Sequence, residues 1–114
     1  MSEPLTVVEV EPFPSKAVRV WGEEELLEFI SYIAFHPAAG ALIPGGGGLR
    51  KVRWSRPGKG KRGGVRVVYY FHDASLPLFP MTMDAKSQKA NLTSRERKIM
   101  RKLVAELRLK YGQA

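Results

Sequence analysis

Leu49-Arg50-Lys51-Val52-Arg53-Trp54 and Val65-Arg66-Val67-Val68-Tyr69-Tyr70-Phe71 are two short runs of β-branched, aromatic and basic residues, separated by the Gly- and Lys/Arg-rich stretch SRPGKGKRGG at 55–64. Runs of this composition that bracket a turn-forming stretch predict an antiparallel hairpin. Side chains alternate between the two faces of a strand, so Val52 and Trp54 fall on one side while Lys51 and Arg53 fall on the other. In the second run Val65, Val67, Tyr69 and Phe71 share a face, and Arg66 projects from the opposite one with Val68 and Tyr70. The pattern predicts a sheet with one core face and one cationic face.

Outward from the hairpin, residues 5–10 (LTVVEV) form a β-branched run between Pro4 and Pro12 that suits a first strand. Residues 23–35 have three glutamates where a helix dipole favours acids, and Leu26, Leu27, Ile30, Ile33 and Ala34 at helical spacing, with Pro37 as the stop. Residues 37–48, with glycine at 45–48, are turn chemistry. A further strand is expected over 76–83, where Pro77 and Pro80 would remove ladder donors. Thr93-Ser94-Arg95-Glu96 matches a capping box. It opens a helix with Ile99, Met100, Leu103, Val104 and Leu107 as its apolar stripe, Arg and Lys on the opposite face, and Gly112 as its stop. The order β-α-β-β-β-α predicts an α+β fold, a small twisted sheet of about four strands with helices packed on one face and the other open. A length of 114 residues suits a single domain over 1–114.

Charge narrows the function. The chain has 19 basic and 11 acidic residues, a net of +8, very unevenly placed. Residues 1–48 hold two bases and seven acids; residues 49–72 hold Arg50, Lys51, Arg53, Arg56, Lys59, Lys61, Arg62 and Arg66 and no acid; residues 73–114 hold nine bases and four acids. This asymmetry suits a polyanion, nucleic acid before an acidic protein or a membrane surface. There is no cysteine, hence no disulfide frame, thiolate nucleophile or Cys-ligated zinc, and nothing argues for an oxidising compartment. The start of the chain is acidic where a signal peptide is basic, and no apolar run approaches the ~20 residues of a membrane helix. A cytoplasmic protein without membrane contact is expected.

Enzyme motifs are scarce. Gly58-Lys59-Gly60-Lys61-Arg62-Gly63 fits G-x-G-x-x-G, but that motif works at a helix N-terminus and here a strand follows. The glycines fit either a plain hairpin loop or one whose backbone approaches phosphate. His36 and His72 lie far apart without carboxylates at ligand spacing, and read as a helix-end and a strand-end residue; no metal site is expected. Glu23 to Glu25 read as the acidic first turn of a helix, and Asp73 and Asp84 as turn and loop residues. What remains is the cation cluster. Lys51, Arg53 and Arg66 on one sheet face, with Lys59, Lys61 and Arg62 on the adjoining loop, can chelate a phosphodiester. Catalysis by such a set points to RNA cleavage through the ribose 2′-hydroxyl, because the substrate then supplies the nucleophile and cations meet the charge developing on phosphorus. Repulsion among packed cations lowers a lysine pKa, the direction a general base needs. A purely binding cationic face fits the residues as well. Tyr70 is a candidate base-stacking residue because it shares the face of Arg66.

The stretch HPAAGALIPGGGGLRKVRWSRPGKGKRGGVRVVYYF (36–71) resembles the core signature of HigB-like toxins in the RelE/ParE superfamily of type II toxin-antitoxin systems, and the order of elements before and after it agrees. The resemblance implies a small metal-independent endoribonuclease that cleaves mRNA on the ribosome, inhibits translation, needs no cofactor and is silenced by a cognate antitoxin. It places Lys51, Arg53, Arg66 and Lys86 in catalytic roles, Arg66 at the scissile phosphate. Arg50, Arg56, Lys59, Lys61, Arg62 and Tyr70 are the expected RNA-binding residues. The segment Asp84-Ala85-Lys86-Ser87-Gln88 departs from the family's Tyr-Gly-Lys-Asn-Glu, keeping only the lysine, and an acid at 84 opposes phosphate binding. A gyrase-poisoning ParE-like relative and a non-catalytic RNA-binding module are the alternatives.

Overall fold

The computed structural model describes residues 3–55, 64–85 and 91–112. Its elements are α1 (Phe13–Val20), α2 (Glu23–Phe35), β1 (Ala41–Leu42), β2 (Leu49–Trp54), β3 (Val65–Tyr70), β4 (Phe79–Ala85) and α3 (Ser94–Tyr111). The four strands form one antiparallel sheet in the order β1-β2-β3-β4, the expected α+β architecture.

The hairpin sets the register of the whole sheet. Arg53 pairs with Arg66, Lys51 with Val68 and Leu49 with Tyr70 across β2 and β3; on the other side of β3, Arg66 pairs with Asp84 and Val68 with Thr82. Because of the two-residue period, Val65, Val67 and Tyr69 face one way and Arg66, Val68 and Tyr70 the other. The first face, with Val52 and Met83, is buried against Phe13 and Ala17 of α1, Phe29 and Ile33 of α2, and Trp21 between them. On the second face Leu49, Val68, Tyr70, Phe79 and Met81 are buried with Val104 of α3 and are flanked by Met100, Leu103 and Leu107. Helices α1 and α2 thus gather on one face as expected, while α3 crosses part of the opposite face. The open area is confined to the end that carries Lys51, Arg53 and Arg66.

Four local expectations change. Strand β1 (Ala41–Leu42) lies inside the 37–48 stretch expected as turn, where it pairs with Arg50 and Lys51 of β2. Residues 5–10 are extended but join the sheet only through an isolated parallel bridge, Val7 to Leu78, in which Val8 N donates to Leu78 O (2.9 Å) and Leu78 N to Thr6 O (2.9 Å). Helix α1 lies where no element was expected; proline fits the first helical turn, where its missing N–H has no partner to lose, and Phe13 and Ala17 at i, i+4 supply a buried stripe. Strand β4 begins three residues later than expected and runs through Asp84, which is a strand residue and not a loop residue. Pro80 sits at a register irregularity opposite Tyr69, and its carbonyl accepts from Val10 N (3.0 Å).

The helices at 23–35 and in the C-terminal region match expectation. Thr93 caps α3: its hydroxyl accepts from Glu96 N (3.1 Å), and Thr93 N donates to Glu96 Oε1 (2.8 Å). Gly112 closes the helix. Of the glycine run, Gly45, Gly47 and Gly48 have positive φ, and a Cβ on Gly48 (φ 106°) would lie 2.7 Å from the Tyr70 ring.

Candidate functional site

The site is built on the open end of the second sheet face. Lys51, Arg53 and Arg66 all project there, Arg53 and Arg66 as direct cross-strand partners. A cleft of about 490 Å³ is lined by Lys51, Arg66, Val68 and Asp84 from the strands, by Ile43 and Pro44 before the glycine turn, and by Asn91, Leu92 and Arg97 at the start of α3. Lys51 Nζ donates to Asn91 Oδ1 (3.0 Å), which ties β2 to the approach of α3. Arg97 is positioned by its own segment: one guanidinium nitrogen donates to Leu92 O and the other to Ser94 Oγ, each at 3.2 Å. Arg53 is exposed and stands beyond the residues that line the cleft.

One acid enters this field. Asp84 stands opposite Arg66 in the register, and its Oδ1 accepts from Lys16 Nζ of α1 (3.3 Å), which also donates to Thr82 Oγ1 (2.9 Å). Lys16 reaches past the β4 margin to do so, because α1 packs on the other face of the sheet.

Other expected RNA contacts are placed elsewhere. Arg50 points to the α1/α2 face, where Nη1 donates to Gly40 O (2.7 Å) and the guanidinium lies 5.9 Å from the centre of the Phe71 ring; it is part of the core boundary and not of the cationic surface. Tyr70 does share the face of Arg66 but is only 2% exposed, parallel to Phe79 with centroids 6.4 Å apart and covered by α3, so it offers no ring to a base. Arg56, Lys59, Lys61, Arg62 and Lys86 lie outside the described residues. His36 ends α2 against Tyr32, and His72 is exposed beside Asp73, both outside the cleft. Among the described residues no three His, Cys, Asp or Glu side chains gather as a metal cage. Lys16, Asn91 and Arg97 were not foreseen. Only Arg97 left a trace in the sequence, as a basic residue in the first turn of a capped helix beside the polar Asn91; the reach of Lys16 depends on a helix that the prolines disguised.

A narrow cleft walled by lysine and arginine from two paired strands and a helix start can hold an anionic, phosphate-like group by several charge-assisted hydrogen bonds. Residues 23–113 match the family described as the RelE toxin of the RelE / RelB toxin-antitoxin system. The chain belongs to the RelE toxin family. The match spans α2 through α3 and therefore every residue that lines the cleft. Helix α1 and its Lys16 lie outside the matched residues. No helix among the described residues is long and apolar enough to cross a membrane.

Proposed function

We propose that this member of the RelE family is a HigB-like toxin: a cytoplasmic, metal-independent endoribonuclease that cleaves mRNA on the ribosome and so blocks translation. The observation that carries the reading is the register pair Arg53 and Arg66 with Lys51 on the same open face. Guanidinium and ammonium groups that share one sheet face can hold a phosphodiester by several charge-assisted hydrogen bonds.

In this reading the scissile phosphate lies at the cleft. The ribose 2′-oxygen attacks the adjacent phosphorus, the bond from phosphorus to the 5′ oxygen breaks, and the products end in a 2′,3′-cyclic phosphate and a 5′-hydroxyl. One proton leaves the 2′-hydroxyl and one joins the departing oxygen. Arg66 and Lys51 meet the extra charge on the non-bridging oxygens, Arg53 receives the strand at the rim, and Lys86 completes the catalytic set. Arg56, Lys59, Lys61 and Arg62 of the hairpin loop add phosphate contacts. The partner is a cognate antitoxin with an acidic segment that covers the surface formed by 49–66.

Induction in bacteria with mapping of mRNA ends is the test. New ends and arrested growth are expected; intact transcripts at normal growth count decisively against the reading. Arg66→Ala should lower cleavage by ~10²- to 10³-fold, the usual loss when one transition-state donor is removed, while the far-UV spectrum stays unchanged. A second reading is favoured by Asp84 beside Arg66: a protein that binds RNA without cutting it. Salt-sensitive RNA binding with no cleaved product on ribosomes selects it.

A further inference from the structure

A second basic depression lies outside the cleft, on α3, lined by Ser94, Arg97, Lys98, Arg101 and Lys102. Arg97 belongs to both. Arg97 and Arg101, and beside them Lys98 and Lys102, are pairs at i, i+4, about 6 Å apart along the helix axis, which is the order of the separation between successive phosphates of an RNA strand. The row is held in place at one side: Arg101 Nη1 approaches Gly45 O (3.5 Å), and its aliphatic stem lies against Gly47. Lys98, Arg101 and Lys102 are exposed. Of the helix's two acids, Glu96 closes the capping box and Glu106 lies a full turn beyond Lys102. This half of the helix therefore presents cations to solvent and almost nothing to oppose them.

We propose that the first half of α3 is a track for the backbone of the RNA strand that occupies the cleft, with Arg97 as the junction and Lys98, Arg101 and Lys102 each taking a phosphate outside it. The proposal rests on the reading that RNA enters the cleft. A strand leaving past Arg97 passes directly onto the next turn of cations, so the occupant is the same polyanion and not a separate ligand. The contacts are to phosphates alone and add affinity without sequence preference.

The test uses labelled oligouridylates of three and twelve nucleotides, with anisotropy measured across a salt series. The full chain is compared with the variant Lys98→Gln, Arg101→Gln, Lys102→Gln, which leaves Arg97 and the cleft untouched; glutamine keeps helix propensity, and thermal melts check the fold. The wild type should bind the twelve-mer more tightly and with a steeper salt dependence than the three-mer. The variant should bind the three-mer as the wild type does, and its log-log salt slope on the twelve-mer should fall by about 2, at roughly 0.7 for each of three lost phosphates on a single strand. An unchanged slope, or equal weakening on both lengths, overturns the track. Oligoglutamate displacing the twelve-mer at equal charge concentration overturns it in favour of an acidic protein. Cleavage of ribosome-bound mRNA is scored separately: a length-dependent gain without cleavage sinks only the endoribonuclease reading, and cleavage without the gain sinks only the track.

Discussion

Tyr69 shows how one side chain fixes the approach to the cleft. It is fully buried in the middle of β3, and its hydroxyl donates to Pro37 O (2.7 Å) while accepting from Gly40 N (2.8 Å). That bond pair holds the link from α2 to β1, and a Cβ on Gly40 would fall 2.7 Å from Lys51 O. Burial raises the phenol's pKa above its ordinary value, against the opposing pull of the Gly40 N–H and the Arg50 charge. The folded state therefore keeps a proton that the unfolded chain gives up near pH 10, so this stabilisation is complete below about pH 10 and is lost as pH rises through the folded value. Tyr69→Phe should cost ~1–3 kcal/mol at neutral pH in urea unfolding, since Gly40 N and Pro37 O lose their partner, and should flatten the alkaline fall in stability. At the cleft the residue-scale question is Asp84. With Lys16 as its clamp, Asp84→Asn should raise RNA affinity and Lys16→Met lower it, each by up to ~5-fold, a partly exposed ion pair being worth about 1 kcal/mol or less. In the double variant the Lys16 effect should vanish, and persistence of that effect would show that Lys16 acts on RNA without Asp84. The acid at 84 was legible as an intruder, but not its neutralisation by a residue 68 positions away.

At the scale of elements, period-two alternation was the dependable signal. It placed Lys51, Arg53 and Arg66 on one face, and the pairing of β2 with β3 agrees. The same pattern held a message that was harder to use: Val68 and Tyr70 share that face, and two large apolar groups there mean that part of it must be covered. The covering element is α3, whose stripe was visible but whose destination was not, because periodicity shows which side of a helix is buried and not against what. Ile99, counted in the stripe, is 57% exposed, since the contact runs through Met100, Leu103, Val104 and Leu107. The segment before α3 carries Asn91 and Leu92 into the cleft and the first turn of α3 carries Arg97, so the cap at Thr93 matters beyond the helix. Thr93→Ala should destabilise the protein by ~1 kcal/mol in thermal or chemical melts and weaken RNA binding more than that figure alone explains, because the hydrogen-bonded shelf under Arg97 loosens with the first turn. Unaltered binding at equal stability loss would mean that the cleft does not depend on the cap.

For the whole molecule, the uneven charge becomes a spatial division. Helix α2 begins with Glu23, Glu24 and Glu25 on the side of the sheet away from the cleft, while Lys51, Arg53, Arg66, Arg97 and the exposed lysines and arginines of α3 lie on the other side. A dipole of this kind orients the protein on approach to a polyanion. If four phosphates are engaged, one in the cleft and three on α3, affinity for single-stranded RNA should fall ~50-fold between 50 and 200 mM salt; a flat response would mean that the positive surface is ordinary solubilising charge. The sequence made this division plain, since net charge changes sign between residues 48 and 49. Which turns of α3 join the cationic surface depends on the angle at which that helix crosses the sheet.

The sheet's two margins carry a last consequence. On one side β1 is only two residues long; on the other, backbone groups of Leu78 and Pro80 are already taken by Thr6, Val8 and Val10. Among the described residues these contacts shorten the row of vacant rungs on each border, and Lys16 sets a cation beside the remainder of β4. Cross-β fibrils need such a template. Concentrated solutions should accordingly stay free of thioflavin-positive aggregates, even though four tightly spaced strands of valine, tyrosine and methionine make up the interior.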